Sequence, residues 1–323
     1  MSRKKVYFII AAVLSGSLLA GISLGTELIN PAEALFTLLG GESTLNSEII
    51  LKLRIPRVLA ALFVGASLSV CGAVFQSVFR NPLADPFITG VSGGAALGYS
   101  VAVIFSFPPF AAVTSAFSGS LLSIVIIYIL SRRAGFTGSS FILSGVALSF
   151  IFSSSVMLLF SMAKSESVHK TIIWMMGDLN SSGSIQSVVS VIAAAIMISL
   201  WLFHRHLDII AFGTDFSRSS GVTFFEIRLI VVLASFLAAL SVVMGGIIPF
   251  VGLMVPHIVR IFAGSASYSL IPLSAAAGGA FLILCDAMSR TLVVPYEIPV
   301  GVITGLSGGL FFLFYVLKSR REF

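Results

Sequence analysis

Apolar runs alternate with short polar stretches along nearly the whole chain, and the length of the runs predicts helices that cross a lipid bilayer. They cover residues 6–24, 56–79, 88–107, 110–130, 139–161, 188–203, 227–244, 249–263, 270–289 and 299–317. A hydrocarbon core about 30 Å thick needs about 20 residues at a helical rise of about 1.5 Å each. The expected architecture is therefore an all-α polytopic membrane protein of about ten transmembrane helices. The eighth run is the shortest, flanked by Gly245-Gly246 and Pro249, and invites a partly re-entrant reading.

Charges between the runs set the orientation. With the N-terminus in the cytoplasm, Arg3, Lys4, Lys5, Arg80, Arg132, Arg133, Arg205, Arg218, Arg228, Arg260, Lys318, Arg320 and Arg321 fall inside, while Lys52, Arg54, Arg57, Lys164, Lys170 and Arg290 fall outside. Excess Lys and Arg on the cytoplasmic side supports an even number of spans with both termini cytoplasmic. The first run, preceded by Arg3, Lys4 and Lys5, also has the form of a secretory signal peptide. The parity of the remaining charges needs it as a span, so an uncleaved first helix is expected.

Composition sharpens this. Hydrophobic residues make up 57% of the chain, charged residues 10%, and mean hydropathy is +1.09, against about 45–50% and about 25% in soluble domains. Residues 1–323 thus read as a single transmembrane domain, with 205–226 as its largest cytoplasmic loop. The net charge of +6 is spread over loops and chain ends as a topology signal, so no nucleic-acid partner is implied. Cys71 and Cys285 stand alone within apolar runs and read as small core residues rather than a metal pair or a disulfide.

Catalysis within a membrane needs converging His, Asp, Glu or Cys side chains, and no catalytic or metal site is expected from this sequence. His204 and His206 flank Arg205 at a helix exit, His169 lies in an outer loop, and His257 follows Pro256 as a structural histidine. Asp286 is the best candidate for an ionisable group within a span, and Arg290 lies four residues on along the same face, so an ion pair and a functional role both stand. Such sparse interior charge disfavours ion coupling and points to an energy source pressing on the cytoplasmic surface. There, a short helix-forming stretch is bracketed by Gly213 and Gly221, with Asp215 and Ser217 near its start, where negative and capping groups suit a helix N-terminus.

Arg54 and Arg57 flank Pro56 at the outer mouth of the second span, against the positive-inside tendency. Two readings stand: snorkelling to lipid phosphate, or a socket for an acidic partner gripped by guanidinium forks. Gly90, Gly94 and Gly98 recur every fourth residue, a spacing that allows close helix approach. Ser140, Ser144, Ser149 and Ser153 run along the fifth span, either lining a polar pathway or bonding helix to helix.

Taken together, R-I-P-R at 54–57, V-G-A-S-L at 64–68, N-P-L-A-D-P at 81–86, W-M-M-G-D-L at 174–179, F-V-G-L-M-V-P-H-I-V-R at 250–260 and E-I-P-V-G-V at 297–302 make the chain resemble a known family. It resembles, nearly end to end, the permease subunits of bacterial ABC importers for iron-siderophore complexes, haem and cobalamin. The resemblance implies a multi-pass protein of the bacterial cytoplasmic (inner) membrane, paired with a second permease subunit in a homo- or heterodimer. It further implies two ATP-binding subunits, which use ATP and Mg, and a substrate-binding protein that delivers ligand from outside. The permease itself would carry no ATPase site and bind no cofactor directly. A ferric siderophore is the expected cargo, with cobalamin or haem as the alternative; an ion-coupled secondary transporter is the alternative of a different class.

By motif position, the resemblance assigns Arg54, Arg57 and Arg290 to docking of the binding protein. It assigns Gly213, Thr214, Asp215, Ser217, Arg218 and Gly221 to coupling with the ATPase. Two departures stand out. The family's coupling segment reads close to G-E-E-x-A-x-x-L-G, whereas Thr214, Asp215, Ser217 and Ser220 differ here, and a usual G-A-P-F-F reads G-G-L-F-F at 308–312. The implied mechanism is alternating access, with ATP closure of the partner subunits shifting the permease between two packings.

Overall fold

The computed structural model describes residues 3–39, 45–133, 138–180 and 184–319. Within these the protein is all helical. Seven helices are long and apolar enough to cross a membrane: α1 (Arg3–Ser23), α4 (Ile55–Val78), α6 (Pro109–Arg133), α7 (Gly138–Met162), α12 (Phe224–Gly245), α14 (Ser267–Thr291) and α15 (Val300–Ser319). An eighth span is α9 (Ser184–Leu202), which breaks by 57° into α10 (His204–Ala211). The shorter apolar helices α5 (Val91–Ile104) and α13 (Val251–Ala263) fill the remaining two expected positions.

Short helices appear where the hydrophobic pattern predicts none: α2 (Pro31–Leu38), α3 (Leu45–Ile49) and α8 (Ser165–Met175), while α11 (Thr214–Ser219) forms in the stretch expected to be helical between Gly213 and Gly221. The second span also begins earlier than position 56. α3 runs through a π-helical turn, Ile50–Arg54, directly into α4, and Ile55 N–H bonds Ile50 C=O five residues back. Pro56 has no N–H to give to the regular ladder, so a wider turn just before it is the relaxed solution.

α5 and α13 are short because irregular backbone occupies the rest of their depth. Before α5 lies a 3₁₀ turn, Pro86–Thr89, capped by the Asp85 carboxylate, which accepts from Phe87 N–H at 2.8 Å. Before α13 the chain passes Gly246 (φ 71°) and Phe250 (φ 67°). Both stretches are held by protein: Thr89 C=O accepts from Ser123 Oγ of α6 at 2.8 Å, and Gly245 C=O, at the start of the second, accepts from Asp178 N–H.

α4 is the central column, buried on nearly every side and packed against α9, α10, α12, α13 and α14. Two contacts explain how other helices come so close. A Cβ on Gly72 would stand 1.6 Å from Gly252 O, and one on Gly65 would stand 2.2 Å from Gly278 O. Gly94 and Gly98 similarly meet the backbone of α6 at Gly119 and Ser115. Gly90 differs from that pattern: it is the left-handed residue before α5, at φ 63°. α1, α6, α7 and α15 leave broad apolar faces uncovered, as helices solvated by lipid do.

Candidate functional site

At the outer end, α4 and α14 bring their charges together although they are far apart in sequence. Arg57 Nε donates to Asp286 Oδ1 at 2.8 Å, and its Nη1 reaches Glu297 Oε2 at 2.8 Å and Asn180 Oδ1 at 2.6 Å. Arg290, one turn beyond Asp286, places Nη2 2.9 Å from Asp286 Oδ2. That contact is an ion pair whose angles make no hydrogen bond. Asp286 is fully buried, so one carboxylate holds two guanidinium groups where like charges would otherwise repel.

Arg54 serves a different purpose. It is 5% exposed, and its Nη1 donates to Ile22 O at 2.6 Å and Ser23 O at 2.8 Å while Nη2 bonds Glu27 O. Arg290 Nη2 adds a bond to Gly21 O at 3.0 Å. Two cations therefore satisfy the free carbonyls at the end of α1, where the helix dipole favours positive charge. Both guanidinium groups turn into the protein. A cavity of about 360 Å³ opens above them, lined in part by Glu27, Arg54, Arg57, Asn180, Arg290 and Glu297. Of the three arginines expected to dock a partner, Arg57 has the most exposed side chain, at 12%, and it shares the rim with Glu297 at 38%.

At the inner end, α11 is bracketed by Gly213 (φ 126°) and Gly221 (φ 85°), both in backbone regions that side chains rarely adopt. The side chains of Thr214, Asp215 and Arg218 lie outside the described residues. Ser217 does not cap the helix start, as its position suggested. It is buried and donates to Gly213 O at 2.6 Å and Ile209 O at 3.3 Å, which ties α11 back onto α10. The loop is closed on its far side by a capping box between Thr223 and Glu226, with His206 Nε2 3.2 Å from Glu226 Oε1. Pattern reading missed Phe212 and Phe216, which are 77% and 52% exposed with ring centroids 5.5 Å apart. An aromatic pair four residues apart at the tip of a charged loop was the available signal.

α10 rests on α4 and α14, the same two helices that carry the outer charges. The inner loop and the outer cavity are thus opposite ends of one packed column.

The serines of α7 do not form one stripe. From Ser144 to Ser149 is five residues, a rotation of about 140° beyond one full turn, so Ser140 and Ser144 lie on a different face from Ser149 and Ser153. Ser149 bonds Gly145 O of its own helix at 2.8 Å. Ser120 and Ser123 of α6 do bond across elements, donating to Val91 O and Thr89 O. His257 packs among Phe311, Phe312 and Tyr315 of α15. Among the described residues, no group of three or more His, Cys, Asp or Glu side chains is placed to hold a metal.

Comparison with known proteins agrees with this architecture over its whole length. The model of the FecCD transport family matches residues 11–318. The hemin transport system permease HmuU of Yersinia pestis is 34% identical, with 94% of each chain covered. The Fe(3+)-citrate import system permease YfmD of Bacillus subtilis is 33% identical over 99% of this chain and 96% of its own. A solved structure, described as an inward-facing conformation of an ABC transporter of metal-chelate type, superposes with a TM-score of 0.86 at 28% identity. It covers 98% of this chain and 100% of its own. The chain belongs to the FecCD transport family and is a permease of the ABC importer type.

Proposed function

We propose that this protein is the membrane-spanning half of an ATP-driven importer for ferric siderophores in the bacterial cytoplasmic membrane. A binding protein delivers the ligand from outside, a second permease subunit completes the pathway, and two partner subunits hydrolyse ATP with Mg. The observation that carries the reading is full-length similarity to permeases named for hemin and ferric citrate. The state of Asp286 adds to it: this buried carboxylate is locked between Arg57 and Arg290. A proton or cation carrier needs a carboxylate free to change partners, so Asp286 is a poor coupling site and ATP the better source of work.

Within this reading Arg57, with Glu297 beside it, meets the binding protein directly. Arg54 and Arg290 support that rim from below by fixing the end of α1. Gly213 to Gly221 engage the ATPase, with Phe212 and Phe216 as the apolar contact. Alternating access then requires two packings close in free energy, and ATP-driven closure of the partners selects between them.

Reconstitution with the co-encoded ATPase and binding protein tests the reading. ATP-dependent uptake of a radio-iron siderophore is expected, with cobalamin and hemin failing to compete at equal concentration. Uptake that persists without the ATPase overturns the importer assignment, and preferential uptake of cobalamin or hemin overturns the cargo.

A further inference from the structure

A second cavity, about 280 Å³, lies at the inner end of the molecule where the end of α4 meets α10 and the loop between α13 and α14. Gln76, Arg80, Asp208, Arg260, Ser265 and Ser267 contribute to its lining. Arg260 is the anomaly here. Its Nε and Nη2 are sealed from solvent and have no hydrogen-bond partner, whereas Arg54, Arg57 and Arg290 at the outer end are all supplied with acceptors. Its place in the last turn of α13 gives it the favourable end of a helix dipole, which supplies no hydrogen-bond acceptor to those nitrogens. Arg260 is half-buried as a residue, but these two nitrogens are desolvated with no acceptor, which is unfavourable for any N–H donor.

No acceptor in the cavity bonds Arg260 Nε or Nη2. Asp208 is the nearby carboxylate, and its Oδ1 already accepts from Ser267 N–H at 2.8 Å, at the start of α14. Gln76 gives its amide N–H groups to the carbonyls of Gly252 and Leu253, and its Oε1 is also unpaired. A second guanidinium stands at the same opening: Arg80, exposed and held at φ 50° just past α4, lies so near α11 that a Cβ on Gly213 would be 3.2 Å from its Nη1.

We infer that Arg260 and Arg80 form a socket for a carboxylate side chain of the ATPase subunit, beside and distinct from the α11 contact. This inference rests on the proposed function, because the occupant is the partner expected to cover α11. A carboxylate in the cavity would neutralise Arg260, pair with Arg80 at the rim, and leave Gln76 Oε1 to a bridging water. It would also lock the partner to α4 and α13, so that motion delivered to the loop reaches the central column directly.

The test uses full-length permease in nanodiscs of phosphatidylcholine, with and without phosphatidylglycerol, binding the co-encoded ATPase at low and high salt. Arg260→Gln and Arg80→Gln are each expected to weaken binding about ten-fold or more and to flatten its salt dependence, equally in both lipids. Wild-type affinity and salt slope in Arg260→Gln would overturn the socket and assign the cavity to water. A loss confined to phosphatidylglycerol discs would assign it to a lipid phosphate and overturn it as well. Should Arg260→Gln fail to fold, the exposed Arg80 variant decides alone. Phe216→Ala is the control for α11: wild type that does not bind the ATPase overturns the proposed function, whereas binding sensitive to Phe216 and indifferent to both arginines overturns the socket only.

Discussion

The outer and inner ends of the α4 column handle charge in opposite ways. Outside, three arginines are matched by Asp286, Glu297, Asn180 and the last carbonyls of α1. Inside, Arg260 is half-buried with its Nε and Nη2 unpaired, and Phe212 and Phe216 stand exposed. The contrast teaches that charges in the wrong leaflet need not await a partner protein. Most of the outer arginine donors hold α1, α4 and α14 together, and the Arg57–Glu297 rim is the most exposed part of the network. The inner end is the incomplete one, and a complex should complete it.

The sharpest way to break this comparison is to remove the carboxylate that balances the outer end. Asp286→Ala leaves Arg57 and Arg290 close together, one of them fully enclosed, and a buried pair that loses one member is destabilised by about 3–5 kcal/mol. Chemical denaturation of the detergent-solubilised protein should register that loss, with α1 becoming sensitive to protease. A variant as stable as wild type would mean that the outer network is not structural.

The next largest effect lies on the column that joins the two ends. Gly72→Ala places a methyl 1.6 Å from Gly252 O, and because the obstacle is backbone, α4 and α13 must separate. Overpacking of this kind costs about 1–3 kcal/mol. Unfolding should show it, and ATPase stimulation by loaded binding protein should fall even where the protein still folds. Stimulation unchanged from wild type would detach the column from coupling.

Much of this organisation was legible in the chain. Ten apolar positions, the weak eighth span and the Asp286–Arg290 pair follow from run length and from four-residue spacing. The Arg57–Asp286 contact did not follow, because its partners are 229 residues apart and only the packing of α4 on α14 joins them. The partners of Arg54 did not follow for a related reason: they are backbone carbonyls, which every residue has and no sequence pattern marks. α2, α3 and α8 are too short for a membrane-length apolar signal. The serines of α7 looked like a stripe because four-residue steps were read across a five-residue gap. At the coupling loop the bracketing glycines were readable, but the inward turn of Ser217 needed α10 in place.

A smaller effect sharpens the division of labour at the outer rim. Arg57→Glu sets a carboxylate beside Asp286 and Glu297, so binding-protein affinity should fall about ten-fold, or about 1.4 kcal/mol, with a weaker salt dependence. Arg54→Gln, whose side chain faces α1, should lower stability more than affinity. Equal losses of affinity in both variants would return Arg54 to direct docking.

The effect that pH controls belongs to the inner end, at Asp85. Burial pushes its carboxyl up to about 6, against the pull of the Phe87 N–H hydrogen bond. A folded-state pKa above the unfolded value of about 3.9 means that the folded protein holds the proton more tightly. The stabilisation is complete below about pH 4 and is lost as pH rises through about 6. Asn at 85 caps the 3₁₀ turn equally well without titrating. Asp85→Asn should therefore match wild type in melting temperature near pH 4 and exceed it at pH 7, with the difference opening between those values. A difference that stays constant from pH 4 to pH 7 would show that the Asp85 carboxylate remains ionised, and that the Asn81 to Pro86 turn is wetter than its packing implies.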